Sequence, residues 1–185
     1  MRGRKAGREL VRTIENAKRD GVRVSLRNAG SQSAGQIGVA TNNALLEVVV
    51  RLVPEPEYVK VPLHYELLLN SGLSREAQYS TLVLELTHLY CGHLGTPNEQ
   101  WWPDRRGLSG AIREFEAESV CYLVCGRAGI DNPSEKYLAG YMKQQSDVPE
   151  ISLESVMAAA GLVEKMGRER LKPRNDTAQK KLTER

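Results

Sequence analysis

The sequence predicts an α+β protein in which a helix and a small twisted mixed sheet are followed by a helical half. Three observations lead there. Apolar residues recur at helical spacing near the start, short runs rich in β-branched residues alternate with polar ones up to residue 69, and capped, glycine-terminated helical segments fill the rest. A chain of 185 residues with 41% hydrophobic and 26% charged residues suits one core and one domain. That domain is expected to span residues 1–171, with a basic N-terminal helix in residues 1–20 and a polar, flexible tail in residues 172–185.

In residues 4–18, Leu10, Val11, Ile14 and Ala17 recur among charges, which predicts an amphipathic first helix closed by Asp20-Gly21. Val22, Val24 and Leu26 then alternate with polar residues as a half-buried strand does, and residues 28–38 read as a loop or hairpin region. Residues 45–53 and 58–69 read as further strands on either side of Pro54-Glu55-Pro56, giving a sheet of three to five strands. Ser74 is placed to cap a helix reaching about Cys91, with Glu76 at the positive end of its dipole, and Gly92 and Gly95 close it. A loop with Trp101, Trp102 and Pro103 leads to a second helix over residues 109–125, whose expected buried stripe is Ile112, Phe115, Val120 and Leu123. Gly126 and Gly129 should stop it. Asn132-Pro133-Ser134-Glu135 opens a helix to about Lys143, and Ser152 caps a last one through about Met166.

Charge is unevenly placed. Residues 1–27 carry nine Lys/Arg against three Asp/Glu, residues 165–185 eight against three, and the middle nine against seventeen. Basic ends on an acidic body either solvate the termini or attract nucleic acid or an acidic partner. No apolar run approaches the roughly 20 residues that span a bilayer, and no signal-like apolar stretch follows the basic start, so a soluble cytoplasmic protein is expected. Cys91, Cys121 and Cys125 make an odd number without framework spacing, which fits free thiols.

The chemistry-bearing segment is Leu82-Val83-Leu84-Glu85-Leu86-Thr87-His88. Positions 84 and 88 lie one helical turn apart on one face, where two histidines would converge on an ion and Glu85 beside them would polarise its bound water. Only Glu85 and His88 are present. On the second helix Glu114 and Glu118 are also four apart, while Phe115 points to the core. A carboxylate arriving on a neighbouring helix is the usual third zinc ligand, and another one turn away can steady a ligand histidine.

The run from Tyr79 to His93, with Glu85, His88 and Gly92-His93 in it, followed by Glu114-Phe115-Glu116-Ala117-Glu118, resembles the ImmA/IrrE-type HExxH zinc metallopeptidases of bacteria, phages and mobile elements. The likeness covers about residues 58–142, and residues 151–160 faintly resemble the C-terminal helix of the ArdC anti-restriction proteases. It implies a zincin-like fold, a bound Zn²⁺, and hydrolysis of peptide bonds by metal-activated water. It implies His88 and Glu114 as metal ligands, Glu85 as the general base, and Glu118 as the residue steadying a ligand.

The departure is Leu84, which stands where the pattern has its first histidine and has no lone pair to donate. Loss of that ligand should weaken zinc binding by at least the roughly 10–100-fold that loss of an outer partner costs. His93, if Gly92 turns the chain back, and Cys121, one turn beyond Glu118, are the alternative donors; structural roles compete for both. Three functions stay open. They are an impaired peptidase acting on a protein or peptide, a pseudopeptidase binding a regulator or nucleic acid through its cleft or basic ends, and an ArdC-like anti-restriction factor directed at DNA, suggested by the ending and the basic N-terminal helix. Trp101, Trp102, Arg105 and Arg106 either pack onto the core or line a cleft between the two helices.

Overall fold

The helix that Ser74 opens is the centre of the molecule. In the computed structural model, which describes residues 2–144 and 148–174, the Ser74 hydroxyl accepts the Ala77 N–H and starts α2, Arg75–Tyr90. Its Tyr79, Leu82, Val83, Leu86 and Leu89 are buried from four sides: by α1 (Arg2–Ala17), α3 (Gly110–Ala128), α5 (Leu153–Arg168) and the sheet. Each fully buried leucine there contributes about 1.5–3 kcal/mol, so this one helix anchors the core. Among the described residues no helix is long and apolar enough to cross a membrane.

The first helix buries Ala6, Leu10, Thr13 and Ala17, while Val11 is 57% exposed. The stripe is thus rotated from the expected one. Asn16 explains the rotation: its amide donates to the carbonyls of Met166 and Glu169 at the end of α5, at 2.6 and 2.7 Å, and its oxygen accepts the Leu171 N–H. Capping a neighbouring helix fixes the face that α1 turns inward. Gly21, at φ 76°, ends the short 3₁₀ turn Lys18–Asp20 as a left-handed cap.

Two sheets form instead of one. In the first, β5 (Tyr65–Asn70) lies between β1 (Val22–Arg27), to which it is parallel, and β2 (Gly35–Val39), to which it is antiparallel. In the second, β3 (Leu45–Arg51) and β4 (Glu57–Pro62) pair as a hairpin across the Pro54-Glu55-Pro56 turn. The expected strand over residues 58–69 therefore breaks at Leu63-His64, where the chain leaves one sheet for the other. Part of the expected loop at residues 28–38 is strand β2. Leu67 and Leu69 fill the core from the central strand.

The remaining helices start where their caps predict. Ser109 caps α3 and Ser152 caps α5, each accepting an N–H three residues on. Gly126 is passed over and Gly129, at φ 71°, ends α3. Within α3, Phe115 and Val120 are buried but Ile112 and Leu123 only half so, because Glu116, Ala117, Cys121 and Val124 take the inner face. After α4 (Ser134–Gln144) and α5, the chain stays on the body through Arg174, which pairs with buried Asp20 at 2.7 Å and stacks over Trp101 and Trp102. The tail expected to run free from Lys172 is held at least to that point, and the rest of it lies outside the described residues. All three cysteines are buried free thiols.

Candidate functional site

Between Leu82 and Leu89, the three residues that are not buried are Leu84, Glu85 and His88. They form the one stripe of α2 that looks out of the core. Helix α3 runs beside that stripe and brings Glu114 Oε1 to 3.8 Å from His88 Nε2. On the other side lies β2, an edge strand of its sheet, whose Ile37 N–H donates to the Glu85 carboxyl. Gly35 allows the approach: a Cβ there would sit 2.6 Å from Thr81 Cγ2 and 3.5 Å from Glu85 Cγ. The strand bordering the site is thus β2, reached through a glycine-rich segment, and not the one immediately before α2.

Burial dominates the acid–base behaviour here. It raises the Glu85 carboxyl to about 7, against the pull of the Ile37 N–H and with a further push from the negative charge of Glu114. Burial also lowers His88, with Glu114 opposing and Arg113 assisting. The cluster so gathers a poised carboxyl, a neutral imidazole and a half-exposed carboxylate. Leu84 adds only methyl groups to it.

The other sequence candidates lie elsewhere. Glu118 sits against Ser134 at the start of α4, and burial raises its carboxyl. The Cys121 thiol points to the Ser80 carbonyl at 3.5 Å and lies 3.9 Å from the Cys125 sulfur, inside the core. His93 does turn back: Gly92 adopts φ 80°, where a Cβ would strike the Pro103 carbonyl oxygen at 2.0 Å, and the His93 N–H closes on the His88 carbonyl at 2.9 Å. Both its ring nitrogens are engaged, Nδ1 with His88 Nδ1 at 3.0 Å and Nε2 with Glu116 Oε2 at 2.8 Å. Neither is left to replace the missing ligand.

Glu116 is the residue that sequence reasoning missed. It is fully buried, and Arg105 grips it with two bonds of 2.7 Å while the Ser152 N–H adds a third of 2.8 Å. Burial alone would raise this carboxyl, but Arg105, Ser152 and His93 together hold it below the usual range. A signal existed: Glu116, Val120 and Val124 are four apart on the apolar face, and a carboxylate on such a face demands a cation.

Cys91, His93 and Glu116 offer donor atoms within 4.8 Å of one another, a spacing that suits an ion. Their bonding argues against one. Glu116 already accepts four hydrogen bonds, burial pushes the Cys91 thiol up to about 12, and an ion would face the Arg105 guanidinium. Trp102 is buried, its indole N–H donating to the Gly95 carbonyl, and packs edge-on against Tyr90. Trp101 is half-buried, and both indoles line a cavity of about 470 Å³ against α5. Arg106 pairs with Asp104 at the surface.

No protein-family model, curated protein or solved structure matches the chain.

Proposed function

We propose that this chain has the frame of a zincin-like metallopeptidase of ImmA/IrrE type, with its metal site left one ligand short by Leu84. One observation carries the reading. Glu85, His88 and Glu114 meet from two helices at a half-buried surface, and Leu84 stands one turn before His88 on the same stripe. A surface with no structural need for these groups would scatter them.

As the chain stands, the residues do not fit a catalytic zinc. His88 Nε2 and Glu114 Oε1 are two donors, and such a zinc takes three protein ligands and a water. Hydrolysis of peptide bonds by metal-activated water is accordingly impaired. What survives is the setting. Glu85, near 7, is close to the value that suits general acid–base work, and the outer edge of β2 beside it matches the way extended peptides align on a sheet edge. Both features favour a protein or peptide as the substrate class.

The decisive experiment compares the protein with its Leu84→His variant for zinc retained after dialysis and for cleavage of an unfolded protein substrate. The variant is expected to bind zinc at least about 10–100-fold more tightly and to gain cleavage that chelation removes. Unchanged zinc affinity together with no cleavage overturns the proposal.

A further inference from the structure

The Nδ1 atoms of His88 and His93 lie 3.0 Å apart, and a contact that short between two ring nitrogens holds one proton. Which ring owns the proton decides what the far side of His88 presents. Glu116 settles the ownership. Its oxygens accept from both Arg105 nitrogens, from the Ser152 N–H and from His93, so it is ionised and His93 Nε2 carries a proton. The charge of Glu116 is already matched by Arg105 at 2.7 Å. A second cation on His93, only 2% exposed, would be uncompensated, so His93 has one proton and a bare Nδ1. The shared proton therefore sits on His88 Nδ1.

We infer that His93 is a positioning residue: the chain Arg105–Glu116–His93 fixes His88 in the tautomer protonated at Nδ1 and presents a bare Nε2 to the space between α2 and α3. That nitrogen is the one 3.8 Å from Glu114 Oε1. A ring nitrogen facing a site accepts a cation or a proton only if the opposite nitrogen keeps its hydrogen, which the chain behind it enforces. The turn at Gly92 makes this possible five residues after His88, where an unbroken helix would point the second ring away. The consequence for a metal rests on the proposed reading of His88 as a ligand; the tautomer itself does not.

The test is ¹⁵N side-chain NMR of the full-length, metal-free protein in mildly alkaline buffer. His88 should show a pyrrole-type Nδ1 and a pyridine-type Nε2, and His93 the reverse. His93→Leu removes the acceptor and should turn His88 into a tautomer mixture. His93→Gln, whose carbonyl accepts from His88 while its amide donates to Glu116, should keep the parent pattern. An Nε2-protonated His88 in the parent, or a His88 pattern unchanged in a folded His93→Leu protein, overturns the inference. If His93→Leu does not fold, the parent and His93→Gln spectra decide it. In the Leu84→His background, His93→Leu should weaken zinc binding about 10-fold or more. The expected spectra with no zinc binding by Leu84→His itself would overturn the peptidase reading and leave the tautomer standing.

Discussion

Two polar clusters meet at the His88–His93 pair, and they are built by opposite rules. The inner one closes Arg105, His93 and Ser152 around Glu116, whose buried carboxylate accepts four hydrogen bonds. The outer one, Glu85, His88 and Glu114 beside Leu84, is half-open, with a 3.8 Å gap where a bond would be and a carboxyl raised to about 7. A satisfied network stabilises a fold; an unsatisfied one persists at a cost to it. The contrast marks the first cluster as structural and sets it apart from the proposed site, although both draw on α2, α3 and their connecting loop, with Ser152 at the start of α5 completing the first.

The largest expected effect breaks the inner cluster. Glu116→Ala leaves Arg105 and His93 facing each other without an anion and should cost about 3–5 kcal/mol in a urea titration. A loss under about 1 kcal/mol would show that the inner cluster is not structural, and the contrast would collapse. Because Glu116 is held below the usual carboxylate range, its contribution is present at neutral pH and disappears as pH falls through its folded value.

The outer cluster should respond with the opposite sign. The Glu85 carboxyl is raised from 4.5 to about 7, so the folded state holds its proton more tightly than the unfolded chain does. Stability is full below the unfolded value and is lost as pH rises through the folded one. Glu85→Gln, which needs no ionisation, should be the more stable protein by roughly 2 kcal/mol at about pH 8, the full shift being discounted for partial exposure. The gain should vanish below about pH 4. Denaturation at the two pH values checks this, and an equal difference at both would mean that Glu85 is not raised.

The sequence carried more of the outer cluster than of the inner one. Glu85, His88 and Glu114 could be read because four-residue spacing on helices reports shared faces, and the caps Ser74, Ser109 and Ser152 mark their helices locally. Glu116 was hidden by the same reasoning: attention to the pair 114 and 118 left the residue between them without a face. Its partner Arg105 comes from an irregular loop, where no periodicity reports direction. The division into two sheets and the edge position of β2 depend on long-range pairing across a glycine-rich segment, which alternation within a strand does not encode. The inward face of α1 was set by Asn16 capping α5, a contact 150 residues away in the chain.

The smallest expected effect sharpens the contrast most. Glu114 is half exposed and lies beyond hydrogen-bond distance of His88, so Glu114→Ala should change stability by no more than about 0.5 kcal/mol. That near-silence separates it from Glu116, two residues on along the same helix. A second measurement ties Glu114 to its own cluster. Its negative charge helps to raise Glu85, so in the Glu114→Ala background the alkaline gain from Glu85→Gln should shrink, while the cost of Glu116→Ala stays as it was. If instead Glu114→Ala couples to Glu116→Ala and not to Glu85→Gln, the two clusters are one, and the boundary drawn at the His88–His93 contact is in the wrong place.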